Sequence, residues 1–89
     1  MNEIEIKFTP QERDLIIDHT FTGPDLTKSL QIAEIKGKRL IVKYSTYDLD
    51  ELIGFIAAEA NHTEDKKLEK KLDKLFDKLS RILDTEYGE

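Results

Sequence analysis

Cysteine is absent from the 89 residues. The chain therefore has no disulfide, no thiolate metal site and no thiol nucleophile. Glycines number four and stand singly at 23, 37, 54 and 88, so there is no glycine-rich loop to cradle a phosphate. No run approaches the ~18 apolar residues of a membrane span. The opening stretch, MNEIEIKF, lacks both the basic region and the apolar core of a secretory leader. Serine chemistry has little footing either. Ser29, Ser45 and Ser80 fall on separate elements, no Gly-x-Ser-x-Gly elbow occurs, and only two histidines are present to serve as a base. These absences predict a soluble cytoplasmic protein with no cofactor and lean against an enzyme without deciding the question.

What is present is charge and pattern. Hydrophobic residues make up 38% of the chain and charged residues 37%, a balance too apolar and too ordered for a disordered chain. The length suits a single domain over residues 1–89, in which about 60–65% of the unfolded surface is buried. The net charge of −5 argues against general affinity for nucleic acid, which rests on neutralising phosphates. The distribution is uneven. Residues 36–47 hold only the bases Lys36, Lys38, Arg39 and Lys43, whereas 48–65 hold six acids and no base. The basic stretch is the one place where weak nucleic-acid binding is conceivable, although charges beside a strand usually solvate its edge.

Residues 3–8, EIEIKF, alternate strictly, with Ile4, Ile6 and Phe8 on one face, and predict a half-buried strand. Thr9 to Glu12 read as a capping box with proline at the first helical position, opening a short helix to about His19. FTGPD is a turn, with Thr22 or Asp25 as cap for a second helix over about 24–36. That helix buries Leu26, Leu30 and Ala33 and ends at Gly37, the usual residue past a helix end. The β-branched and aromatic run 39–47 predicts a second strand, with Leu40, Val42 and Tyr44 facing the core.

Asp48 and Glu51 suggest another capping box, opening the helix LDELIGFIAAEAN with Leu49, Leu52, Ile53, Ile56 and Ala60 on its periodic face. Gly54, Phe55 and Ala58 occupy the opposite side. A helix apolar all round is buried or lies at an interface, so these three are the candidate interface residues. Gly54 and Ala58, four apart, also allow a close backbone approach, in core packing or between subunits. The last helix, about 64–84, carries Leu68, Leu72, Leu75, Leu79 and Ile82, a stripe widened by Phe76 and Leu83. That width suits a helix laid on a domain core better than a two-stranded coiled coil. Residues 84–89 read as a frayed tail.

Glu59 and His62 form a Glu-x-x-His, the spacing used for metal ligands in di-iron bundles. The motif occurs once and His62 stands at a helix end, so a metal site requires two copies across a dimer, with Glu64 or Asp50 completing the set. The more economical expectation is a polar joint, with Asn61 capping the last helix and the break falling at 61–63. Asn61-His62-Thr63 fits the glycosylation pattern, but at a helix terminus that match is chance. His19, at the end of the first helix, sits where the dipole favours a cation, and Asp48, Asp50 and Glu51 sit where it favours acids. The helices at 10–19 and 24–36 have the outline of a helix-turn-helix. Glu12, Asp14 and Asp18 would repel a phosphate backbone, which weakens that reading.

The sequence therefore predicts an α+β protein: a small two-strand sheet in the order β-α-α-β-α-α, with a C-terminal helical hairpin packed on it. Two strands make a marginal sheet, which favours a second subunit extending it. The functional expectation is a non-enzymatic protein–protein interaction or regulatory module acting as a homodimer, with a protein partner possible and no membrane association. The alternatives are a metal-binding protein or metal-dependent enzyme using Glu59 and His62 across a dimer, and a weak nucleic-acid binder.

Overall fold

A computed structural model of the protein describes residues 3–20 and 23–87. In chain order they form β1 (Glu3–Phe8), α1 (Pro10–His19), α2 (Pro24–Gln31), β2 (Glu34–Lys36), β3 (Arg39–Ser45), α3 (Thr46–His62) and α4 (Lys66–Tyr87). The architecture is a small α+β fold, an antiparallel sheet in the order β1-β3-β2 with the helices on one side. Among the described residues no helix is long and apolar enough to cross a membrane.

The sheet has three strands rather than the two expected, because the stretch expected to continue a helix to Lys36 is divided. Helix α2 stops at Gln31, and Glu34–Lys36 pair with β3. Leu26, Leu30 and Ala33 keep helical spacing, so local pattern alone favours a longer helix. The β-branched Ile35 fits extended backbone better, and pairing of Glu34 and Ile35 against Ile41 and Leu40 decides the outcome. Lys36 pairs with Arg39, which leaves Gly37 and Lys38 as a two-residue turn. Gly37 has φ of +63°, and no non-glycine residue described has a positive φ. Positive φ at the first turn position alone is the type II′ hairpin, whose twist suits antiparallel strands. Gly37 thus closes a hairpin and does not end a helix.

The helix starts follow local chemistry, with corrections. Thr9 caps α1 as a full capping box: its hydroxyl accepts from the Glu12 N–H at 3.1 Å, and its own N–H donates to Glu12 Oε1 at 2.8 Å. The cap position of α2 is Gly23, with no side-chain bond, so Asp25 is not the cap; Thr22 lies outside the described residues. Helix α3 begins two residues before Asp48. Ser45 is its cap, accepting from the Asp48 N–H at 3.1 Å, so Asp48 stands in the first turn instead. Helix α3 also runs through His62, and the break falls at 63–65. Asp65, not Asn61, caps α4, accepting from the Lys67 and Leu68 N–H groups at 2.9 and 3.2 Å. Helix α4 continues to Tyr87.

The strands alternate buried and exposed along their length. Ile4, Ile6, Phe8, Leu40, Val42 and Tyr44 form the inner face of the sheet. They join Ile16, Leu26, Leu30, the five apolar residues foreseen on α3, and Leu72, Leu75 and Leu79 of α4 in one hydrophobic cluster. Each fully buried aliphatic side chain contributes about 1.5–3 kcal/mol by leaving water. The outer face is polar, with Glu3, Glu5, Lys7, Glu34, Lys36, Arg39 and Lys43 exposed and Glu5 directly opposite Lys43.

Candidate functional site

The end of the sheet at β2 differs from the rest of the molecule. Ile35 pairs with Leu40 and so belongs to the inner, apolar face. Leu40 is 2% exposed, whereas Ile35 is 68% exposed and Ile32, three residues earlier, is 72% exposed. The helices therefore cover the sheet as far as β3 and leave β2 bare. Tyr47, in the first turn of α3, is the other large apolar side chain standing out to solvent among the described residues.

Beside this uncovered strip lies an open cleft of about 640 Å³ between the start of α1 and the β2–β3 hairpin. Ile35 and Leu40 give it apolar lining, and Arg13, Lys38 and Arg39 give it positive charge. Arg13 is partly answered by Asp14, with the guanidinium 3.1 Å from the carboxylate. The basic stretch foreseen in the sequence thus sits on an exposed hairpin, and Arg13 joins it from α1, an addition that sequence distance concealed. A second groove, of about 490 Å³, runs between α1 and α4. There Asp14, Asp18 and His19 face Lys71 and Lys74 above Leu15 and Leu75.

The two edges of the sheet are not alike. In an antiparallel ladder, opposite pairs alternate between hydrogen-bonded and non-hydrogen-bonded, and the pair closing a two-residue turn is hydrogen-bonded. Counting from Lys36–Arg39, the N–H and C=O of Ile35 point to open solvent on β2. On β1 the outward groups are those of Glu3, Glu5 and Lys7. There Lys78, reaching across from α4, places its ammonium 2.6 Å from the Lys7 carbonyl and 2.7 Å from Glu12 Oε1, with the Phe8 ring centroid at 5.3 Å. One lysine thereby closes the end of β1, completes the capping network of α1 and caps an aromatic face.

The residues singled out in the sequence are scattered. Gly54 and Ala58 are exposed on the outer face of α3, and nothing stands within 4 Å of where a Cβ on Gly54 would lie. The close backbone approach expected at Gly54 is therefore not made within the described chain. Phe55 is half-buried and packs against the core. Glu59 and His62 lie on the last turn of α3, Glu59 half-buried and His62 exposed. Among the described residues no group of three or more His, Cys, Asp or Glu is placed to hold a metal ion. Asp48 bears on the core through Tyr44: burial first, and then the Asp48 charge, raise the Tyr44 phenol well above its ordinary range. The Tyr44 hydroxyl donates to the Leu26 carbonyl at 3.3 Å.

Compared with protein families, curated proteins and solved structures, the chain matches none of them.

Proposed function

We propose that this chain is a non-enzymatic protein-interaction module that acts as a homodimer. The observation that carries the reading is the bare strip at the edge strand β2, where Ile32 and Ile35 are each more than two-thirds exposed. Shortness and the charges of Glu34 and Lys36 already blunt this edge; the exposed Ile35 on its apolar face is what favours a protein partner. The α3 face bearing Gly54, Phe55 and Ala58 is the second surface on offer. It is smoother, and its one large side chain, Phe55, already packs inward.

Light scattering over a hundredfold concentration range tests the reading. The expected mass rises from 10.3 kDa toward twice that value. Ile35→Lys should hold the protein at monomer mass, and Phe55→Glu should do so only if the α3 face is the contact. A wild-type mass of 10.3 kDa at every concentration overturns the homodimer.

A second reading, weak nucleic-acid binding through Lys36, Lys38, Arg39 and Lys43, is favoured by one feature: Arg13 lines the same cleft as Lys38 and Arg39. It requires a mobility shift with duplex or single-stranded DNA at low salt, where phosphate contacts count most.

A further inference from the structure

We infer that the homodimer forms edge to edge through β2, in an antiparallel register centred on Ile35, giving one continuous six-stranded sheet. This inference rests on the homodimeric reading above and specifies its contact. In that register Ile35 exchanges its outward N–H and C=O with Ile35 of the second copy, and the two Ile35 side chains meet on the inner face. Because the strands run antiparallel, Glu34 of each copy falls opposite Lys36 of the other on the outer face. Glu34-Ile35-Lys36 is thus complementary to itself in charge, in apolar contact and in backbone donors and acceptors. Opposite charges directly across a pair of strands stabilise it, and like charges destabilise it. Glu34 and Lys36 form the non-hydrogen-bonded pairs of the new ladder, whose side chains stand closest.

The same tripeptide recurs as Glu5-Ile6-Lys7 on the other edge, and the structure separates the two. Ile6 is 1% exposed and has no apolar surface left to offer. The Lys7 carbonyl, which would have to accept from a new strand, is already held by Lys78 at 2.6 Å. Glu5 also stands directly opposite Lys43 of β3. One edge is therefore guarded and the other is open. Three residues a side make a small contact, so a weak, concentration-dependent dimer is expected rather than a permanent one.

Charge exchange tests the register. Glu34→Lys and Lys36→Glu, each alone, should weaken self-association roughly tenfold or more, since both cross-strand pairs become like-charged. The double variant Glu34→Lys/Lys36→Glu should regain it. An equimolar mixture of the two single variants should associate with each other, because the opposite charges again face one another. Sedimentation equilibrium reads the masses, and circular dichroism checks that each variant is folded. A wild type that dimerises while the single variants dimerise equally well, or while their mixture stays monomeric, overturns the β2 register and leaves the homodimer standing. A wild type that is monomeric throughout overturns the homodimer itself.

Discussion

Tyr44 brings a hydroxyl into the core and satisfies it with the Leu26 carbonyl. Because burial, and secondarily Asp48, raise its phenol above the ordinary range, the folded state holds that proton more tightly than the unfolded chain does. The associated stability is fully present below about pH 10, where an unfolded tyrosine begins to ionise, and is lost as pH rises beyond it. Tyr44→Phe should therefore cost about 1 kcal/mol at pH 7 through the lost hydrogen bond, and it should lessen the alkaline fall in stability. Urea melts at pH 7 and above pH 10 measure both effects. An unchanged alkaline slope would place the titrating group elsewhere. The inward direction of Tyr44 was legible from the alternation of its strand, but its partner was not, because Leu26 lies on another element. The same distance hid Lys78, which reads in sequence as one more charge flanking an apolar stripe. Its bonds to Lys7 and Glu12 span 71 and 66 positions.

Among the elements, the junction between α3 and α4 offers the sharpest test. The sequence pattern points to Asn61 as the cap, and two hydrogen bonds to Asp65 Oδ1 put the cap at Asp65 instead. Asp65→Ala should cost about 1 kcal/mol, whereas Asn61→Ala, on the exposed surface of a continuing helix, should change stability by less than about 0.5 kcal/mol. Thermal melts of the two variants side by side measure the contrast, and equal losses would contradict the capping described. The long elements were readable because their apolar spacing runs over several turns, as in Leu68-Leu72-Leu75-Leu79. β2 was not, since three residues are too few to show a period. Gly37 deepened the ambiguity, because a positive φ serves a helix end and a hairpin turn equally well. Ser45 was missed as a cap because Asp48, with Glu51 three residues on, itself reads as a helix start.

At the scale of the whole molecule, the arrangement is a sheet covered on one face, with Lys78 holding the Lys7 carbonyl at one edge and β2 bare at the other. The sequence suggested that a second subunit would extend the sheet, reasoning from too few strands. The third strand changes that argument without removing it, for it is β2 itself that stands uncovered, with Ile35 on the apolar face and 68% exposed. No periodicity in the sequence could show this, because exposure at Ile35 depends on where four helices end over the sheet. The surface foreseen on α3 came from counting apolar residues around a helix, which cannot distinguish a small exposed residue such as Gly54 from a buried one.

The Ile35 amide reports most directly on whether β2 is paired between copies. In hydrogen exchange followed by NMR, it should be protected at concentrations where the protein is dimeric. That protection should fade on dilution and be absent in folded Glu34→Lys at the same concentration. An Ile35 amide that exchanges at the rate of an unpaired one while the protein is dimeric would contradict the account, because the edge on which it rests would then be open to water.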